Sequence, residues 1–277
     1  MHNPALEALG LNWRYLAFDV HPDDLRAALE GAKRMKFVGL NLTVPHKLLA
    51  MEMMDVLDDS AASWGAVNTV RFEALLPDGQ WKPLGALEGD VPGQIRSHGF
   101  NTDADAIVTA IDEGLQVRLP GSRVLLLGAG GAGRVAALKL ASEQVAELFL
   151  VNRTVSKAQE IAAEIKRRFP IVRTFVGYPE GKIDLLVNAT SLGLKAFDSL
   201  PMDMAKYRLD LASAVFDMIY RPPETPLLQA ARQAGCRTAN GLGMLLHQGA
   251  RALEIWTGRP APIALMKQAL TKSVYGS

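Results

Sequence analysis

Arg123-Val-Leu-Leu-Leu-Gly-Ala-Gly-Gly-Ala-Gly133 runs from an apolar stretch straight into glycines, and Leu148-Phe-Leu-Val-Asn-Arg-Thr154 is a second apolar stretch that ends in polar residues. The first reads as a buried strand that turns through Gly128, Gly130 and Gly133 into a helix over about Ala132–Ala141. Glycine tolerates the tight turn and, without a Cβ, lets a pyrophosphate approach the backbone. The N–H groups that open the helix then face that anion. The tip of the second strand distinguishes the nucleotide. An NAD site usually carries Asp or Glu there to grip the ribose hydroxyls. Here the tip is Asn152 followed by Arg153. A carboxylate would repel a 2′-phosphate, whereas a guanidinium holds it through charge-assisted bonds. Thr154 and Lys157 add polar and cationic groups at the same helix start, so the stretch reads as an NADP(H) site.

Outward from this unit, helical and strand patterns alternate along the chain, which argues for an α/β fold with parallel sheets. Further strands are expected at Val172–Phe175, Leu185–Asn188, Ala214–Asp217 and Arg237–Thr238, with a helix at Pro226–Ala234 and helices from Gly243 onward. Towards the N-terminus, Pro4–Leu9, Pro22–Leu29, a segment opened by Pro45, Asp59–Trp64 and Thr102–Gly114 read as helices. Trp13–Phe18, Lys36–Asn41 and Val67–Phe72 read as strands, Ala74–Leu84 as a strand pair, and Gly85–Gly99 as an irregular loop.

Composition narrows the function class. A chain of 277 residues buries a substantial core and is expected to form two domains. With 49% hydrophobic and 21% charged residues and a net charge of +1, no broad field favours nucleic acid or an anionic membrane. The basic run Lys166-Arg-Arg168 complements a helix dipole. The single cysteine, Cys236, excludes an internal disulfide, suits a reducing, cytoplasmic setting and reads as a small buried apolar residue. No signal peptide or bilayer-length apolar run is read, and the five histidines show no metal-ligand spacing, so no metal is expected. The expected partner is a small-molecule substrate, with the chain a monomer or homodimer.

A pyridine nucleotide exchanges hydride, and its substrate needs a matching proton donor or acceptor. Three segments outside the glycine unit offer one. In Asn41-Leu-Thr-Val-Pro-His-Lys47 a strand ends in polar residues, and Lys47 starts a helix where its ammonium can protonate a carbonyl oxygen that is becoming an alkoxide; a plain surface lysine is the alternative. Gly65-Ala-Val-Asn-Thr69 and Asn101-Thr-Asp103 each place an amide or carboxylate at an element end, where open α/β sheets bind ligands. Asn68 and Asp103 read equally as a turn residue and a helix cap.

Together with Gly128-Ala-Gly-Gly-Ala132, Asn152-Arg-Thr154, Asn188-Ala-Thr-Ser-Leu-Gly193, Asp217-Met-Ile-Tyr220 followed by Thr225-Pro-Leu-Leu228, and Gly241-Leu-Gly-Met-Leu-Leu-His-Gln248, these segments occur in an order that closely resembles the shikimate dehydrogenase family, from Met1 to near the C-terminus. The resemblance implies NADPH-dependent reduction of 3-dehydroshikimate to shikimate in aromatic amino-acid biosynthesis. It makes Lys47 the catalytic lysine and Asp103 its partner, with Asn41, Thr43, Asn68, Tyr220 and Gln248 gripping the substrate. Amides and hydroxyls suit a polyol, and each group left unpaired costs roughly 1–3 kcal/mol. Gly128 to Ala132 hold the pyrophosphate; Asn152, Arg153, Thr154 and Lys157 hold the adenosine phosphate end; Thr190, Met218, Gly241 and Met244 line the nicotinamide side; Asp59 matches a cofactor-side acidic position. The implied architecture is a substrate-binding α/β domain of residues 1–103, completed by C-terminal helices 243–277, with a Rossmann-like NADP-binding domain of residues 104–242 inserted. The implied active site is a cleft whose closure excludes water.

The chain departs from the family pattern in three places. Family members carry a strand and a Ser-x-Ser-x-Ser-Pro segment, which binds the substrate carboxylate, just before the position of Met1; about twenty further in-frame residues are expected upstream. After Asn101-Thr-Asp103 the family has Gly-x-Gly where this chain has Ala104-Asp105-Ala106, expected to straighten the helix start and shift Asp103 slightly. The stretch Glu73–Gly99 is longer than the family hairpin and is expected to be a passive surface insertion. Two alternatives remain at this stage: a quinate/shikimate dehydrogenase using NAD, and a catalytically silent dinucleotide-binding protein.

Overall fold

The structure is a computed structural model, and it describes residues 1–89, 93–195 and 197–276. The chain divides into two compact units, Met1–Asp103 with Leu246–Ser277, and Ala104–Leu245. In chain order the first stretch contains α1 (His2–Ala8), α2 (Leu25–Arg34), β1 (Gly39–Asn41), α3 (His46–Leu49), β2 (Val56–Leu57), α4 (Asp59–Trp64), β3 (Thr69–Leu75), β4 (Trp81–Pro83) and β5 (Ile95–Phe100). Then come α5 (Asp103–Leu115), β6 (Arg123–Leu127), α6 (Gly131–Ser142), β7 (Glu147–Val151), α7 (Val155–Arg168), β8 (Arg173–Val176) and β9 (Ile183–Asn188). The chain ends with β10 (Ala212–Asp217), α8 (Pro226–Gln233), β11 (Arg237–Asn240), α9 (Leu242–Thr257) and α10 (Ile263–Tyr275). Among the described residues no helix is long and apolar enough to cross a membrane.

The second unit follows its hydrophobic pattern closely. Its six strands lie in the order β11-β10-β9-β6-β7-β8, and every pairing is parallel. This is the doubly wound order, in which the direction of winding reverses between β6 and β9. Val124 to Leu127 are all fully buried, as strands covered on both faces by crossover helices must be. Leu125, Leu127, Leu186 and Val215 pack with Leu227, Leu228 and Ala231 of α8. Cys236 sits in this cluster, its thiol donating to the Leu209 carbonyl at 3.2 Å, and burial pushes its pKa up. The basic run ends α7, where Arg168 pairs with Glu164 one turn earlier.

The first unit corrects several sequence expectations. Its sheet, in the order β1-β3-β5-β2 with β4 beside β3, is mixed rather than parallel. β3 runs antiparallel to β1, β4 and β5, and only β2 with β5 is parallel. The reason is connection length: β3 reaches β4 through the tight turn Pro77-Asp-Gly-Gln80, with Gly79 at φ 82°, and so short a link permits only antiparallel pairing. Trp13–Phe18 forms no strand. Its backbone is instead held at Tyr15 by the Asn3 side chain, whose Oδ1 accepts from Tyr15 N–H at 2.7 Å and whose Nδ2 donates to Tyr15 C=O at 3.1 Å. The expected strand Lys36–Asn41 begins only at Gly39, since Lys36 takes a left-handed φ of 58°.

The Gly85–Gly99 stretch, of which residues 90–92 lie outside the described residues, is not wholly a loop. It contains β5 up to Gly99, paired with β3 from Ala74 to Val70. Nor does the stretch lie wholly on the surface: Leu84 is buried in the core, and a Cβ on Gly85 would fall 2.2 Å from the Trp256 carbonyl. One sheet face packs Val70, Phe72 and Ala74 against Leu25, Leu29 and Ala32, an i, i+4, i+7 stripe of α2. Phe100 clusters with Ala252, Ile255 and Trp256 of α9. Trp256 Nε1 donates to Val70 C=O at 2.9 Å, and a Cβ on Gly39 would fall 2.2 Å from that same Nε1, so only glycine fits there.

On β3, Thr69, Arg71 and Glu73 alternate with that apolar row, giving one polar stripe. Glu73 is buried, yet it accepts from Arg71, from Arg96 Nε at 2.7 Å and from His98 Nδ1 at 3.0 Å. Burial alone would raise its pKa; the bonds from His98, Arg71 and Arg96 outweigh that and hold it at about 2. Arg71 lies over the Phe100 ring and Arg96 over the Trp81 ring, so the partners are themselves held.

Candidate active site

In the first unit the sequence motifs converge through backbone turns. β1 ends at Asn41, Leu42 N–H donates to the Asn68 carbonyl at 2.8 Å, and His46 N–H to the Thr43 carbonyl at 2.8 Å, turning the chain into α3. Val67 N–H donates to the Lys47 carbonyl at 2.9 Å, which ties α3 to the segment leading into β3. That segment exists because α4 stops at Gly65, whose φ of 64° closes the helix with a left-handed residue.

Lys47 Nζ donates to Asp103 Oδ2 at 2.7 Å, with both side chains largely buried. Asp103 is the first residue of α5, but its carboxylate faces Lys47. Its own N–H is taken by Asn101 Oδ1 at 3.1 Å, so Asn101 performs the capping expected of Asp103. Ala104 and Ala106 are buried, and the Lys47–Asp103 pair forms with them in place. Of three ammonium donors, Asp103 takes one.

Around this pair lies a nest of amides and hydroxyls. Asn68 is buried; its Oδ1 accepts from Thr102 N–H at 2.8 Å and Thr69 Oγ1 at 3.1 Å, and its Nδ2 donates to Thr102 Oγ1 at 3.0 Å. Asn41 Nδ2 donates to Thr69 Oγ1 at 3.0 Å and to the Asn68 carbonyl at 3.2 Å. Thr43 lies on the exposed turn between β1 and α3. Asp59 is exposed in the first turn of α4. Its neighbour Asp58 does the organising, accepting from Ser60 N–H at 2.9 Å and from Ser60 Oγ, which in turn accepts from Asn101 N–H at 3.1 Å. Gln248 is half-buried in the α9 part of this unit, while Tyr220 belongs to the second unit.

Sequence reasoning missed Tyr15, whose hydroxyl donates to Asn41 Oδ1 at 3.0 Å. Its ring stacks on His2, with centroids 4.2 Å apart, and burial raises its pKa. His2 Nε2 meets the Gly249 carbonyl at 3.0 Å, and burial pushes the His2 pKa down to about 4, so it is neutral near pH 7. The only local signal was an aromatic hydroxyl in a run read as a strand.

In the second unit the glycine turn sits where the winding reverses, beside the end of β9. Gly128 takes a φ of 104°, and a Cβ there would meet Ala189 at 3.0 Å and Thr190 at 3.1 Å. A Cβ on Gly133 would fall 2.2 Å from the Gly128 carbonyl. Gly130 and Gly131 face open space instead, and α6 starts at Gly131 with no side-chain cap. These two glycines and the uncapped N–H groups fit a pyrophosphate, which needs backbone approach and donors rather than side chains. Asn152 Oδ1 accepts from Ala129 N–H at 3.0 Å, locking the glycine turn to the end of β7. Arg153, Thr154 and Lys157 are exposed at the start of α7, and Thr154 makes no side-chain cap.

Thr190 and Met218 are held by a buried network. Asn188 Oδ1 accepts from Thr190 N–H at 3.0 Å and Thr190 Oγ1 at 2.8 Å, and the Asn188 carbonyl accepts from Met218 N–H at 3.0 Å. Asn188 Nδ2 donates to Asp217, which also accepts from Thr225 Oγ1 at 2.6 Å and Ile219 N–H at 3.1 Å. Burial nevertheless keeps the Asp217 pKa above its usual range. Gly241 acts at one remove, since a Cβ there would strike the Met218 carbonyl; Met244 is half-buried on α9.

Comparison with known proteins agrees with this geometry. Residues 1–70 match the family model described as the shikimate dehydrogenase substrate binding domain, residues 111–210 that of shikimate / quinate 5-dehydrogenase, and residues 241–271 the shikimate 5'-dehydrogenase C-terminal domain. The shikimate dehydrogenase (NADP(+)) of Methanopyrus kandleri is 39% identical over 98% of this chain and 89% of its own length. The chain belongs to the shikimate dehydrogenase family. A shikimate dehydrogenase structure from Thermus thermophilus, in complex with NADP(H) and shikimate, superposes with a TM-score of 0.79 at 33% identity, covering 98% of this chain and 92% of that one. The 5-ketofructose reductase of Gluconobacter sp. strain CHM43 gives a TM-score of 0.78, also at 33% identity, over 98% and 91%. Shikimate dehydrogenase membership and the doubly wound second unit thus agree.

Proposed function

We propose that this protein catalyses the reversible NADP-dependent reduction of 3-dehydroshikimate to shikimate, with Lys47 as the proton-transferring group. The observation that carries this reading is the Lys47–Asp103 pair, set among amides and hydroxyls in a family member whose second unit has an uncapped glycine turn. NADPH, when bound, supplies the hydride to the ketone carbon. Asp103 orients the Lys47 ammonium, whose remaining donors bond the ketone oxygen and protonate it as negative charge develops there. In the oxidative direction Lys47 accepts the hydroxyl proton. Asn41, Thr43, Asn68, Tyr220 and Gln248 supply the polar groups that a polyol requires, Asn68 chiefly by fixing its neighbours.

Gly128, Ala129, Gly130, Gly131 and Ala132 hold the pyrophosphate, and Arg153 with Asn152, Thr154 and Lys157 holds the 2′-phosphate end. Thr190, Met218, Gly241 and Met244 form the nicotinamide side, and Asp59 a further cofactor-side group. We assign the reaction to the cytoplasm, in keeping with the lone thiol of Cys236.

The deciding experiment is shikimate-dependent formation of NADPH by the purified chain, run beside reduction of 5-ketofructose by NADPH. Turnover of shikimate supports the proposal. Turnover of the keto sugar alone, or of neither, overturns it.

A further inference from the structure

Asn41 has an amide whose two ends face different chemistry, and the neighbours decide which end faces which. Both Nδ2 hydrogens are committed, one to the Asn68 carbonyl at 3.2 Å and one to Thr69 Oγ1 at 3.0 Å. A carbonyl only accepts, and it already takes the Leu42 N–H, so a flipped amide would set two acceptors against each other. Oδ1 therefore points the other way, where Tyr15 donates its hydroxyl hydrogen at 3.0 Å. Tyr15 is in turn fixed at three points: its N–H and C=O by the Asn3 amide, and its ring by the stack on His2. Long-range contacts on both ring and backbone are more than a half-exposed loop tyrosine requires for its own burial.

We infer that Tyr15 is a positioning residue for substrate recognition: its hydroxyl occupies one lone pair of Asn41 Oδ1 and holds the carboxamide so that the second lone pair is the acceptor offered to substrate. The corner then offers lone pairs and no hydrogens, so it selects a substrate hydroxyl that donates. This rests on the proposed function, in which Asn41 contacts the substrate.

The test is a double-mutant cycle of Tyr15→Phe and Asn41→Ala in the full chain. Tyr15→Phe keeps the ring stack and removes only the hydroxyl. It is expected to raise the shikimate KM about three- to tenfold, the worth of one net hydrogen bond, leaving the NADP KM unchanged. Asn41→Ala is expected to raise the shikimate KM further, and the double variant to match Asn41→Ala alone, because Tyr15 acts through Asn41. An unchanged shikimate KM in Tyr15→Phe, or effects that multiply in the double variant, would overturn the inference. The Asn41 side-chain amide resonances of 15N-labelled protein give a readout independent of turnover: Tyr15→Phe should shift them, and unmoved resonances overturn the inference. If the unaltered chain fails to oxidise shikimate, it is the proposed function that falls, and the amide resonances still decide the role of Tyr15.

Discussion

The two units carry their polar groups in opposite ways. In the second, strands β6, β7, β9 and β10 are apolar runs covered on both faces, and the buried polar groups cluster at strand ends, in Asn188 and Asp217. In the first, β3 and β5 carry charge within the sheet itself, with Glu73 buried among Arg71, Arg96 and His98, and a hydroxyl and amide network at the sheet end. An apolar sheet needs little beyond shape to hold together. A sheet with an internal carboxylate depends on every partner being present and on its protonation state. The lesson is that the unit proposed to bind the nucleotide is built from generic parts, and the unit proposed to bind the polyol from specific ones.

That contrast is open to attack at several points. The largest effect is expected at the chemistry: Lys47→Ala should lower kcat by at least about a hundredfold with little change in shikimate binding, since it removes a proton-transfer group. Steady-state kinetics beside equilibrium binding check this, and a large loss of binding with kcat intact would make Lys47 an anchor only.

Next comes Glu73. Its folded pKa of about 2 lies below the ordinary 4.5, so its stabilising contribution is present above pH 4.5 and is lost as pH falls towards 2. That contribution is worth about 3 kcal/mol at neutral pH. Glu73→Gln should destabilise the chain by about that amount and flatten the acid limb. Hydrogen exchange should place the loss in β3 and β5, and equal loss in β6 and β9 would erase the contrast between the units.

Two glycines of the second unit sharpen it further. Gly133→Ala places a Cβ against the Gly128 carbonyl and should lower stability by about 1–3 kcal/mol, as overpacking does. Gly130→Ala has open space and an ordinary φ of −78°, so it should leave the melting temperature unchanged while weakening NADP binding. A similar melting temperature for both variants would show that the turn is not packed as described. The smallest effect is expected at the exposed Arg153. Arg153→Ala should raise the NADP KM roughly tenfold through lost charge-assisted bonds and leave NAD kinetics unaltered. An equal change with both nucleotides would remove Arg153 from the 2′-phosphate.

Legibility in the sequence followed the same division. The inner strands of the second unit, β6, β7, β9 and β10, were readable within a residue or two because burial on both faces leaves a largely apolar run. Gly128 and Gly133 were readable because close approach leaves no other residue type. In the first unit Asp59–Trp64 was read as a helix, and the structure shows it capped by Asp58 and closed by Gly65, but Trp13–Phe18 and Gly85–Gly99 were misread. Trp13–Phe18 has no strand partners, and a local pattern does not say whether a partner strand is there. Ile95–Phe100 carries Arg96 and His98 where a buried strand would ordinarily be apolar, so its charge disguised it as loop. The motif residues Lys47 and Asp103 were identified, whereas Tyr15 and Asp58, which orient their neighbours, carry no pattern of their own.

From the sequence alone came what depends on neighbours along the chain: apolar periodicity, helix stops, the glycine turn and the order of the family motifs. Apart from Lys47 and Asp103, which the family resemblance had paired, tertiary structure decided which partner each polar group meets. Lys47 and Asp103 are 56 positions apart, Tyr15 and Asn41 26, and Glu73 and Arg96 23. Hydrophobic burial is non-directional and leaves its mark in a local pattern, whereas a hydrogen bond needs two atoms within about 3 Å, and strand register set by the whole sheet is what brings them there.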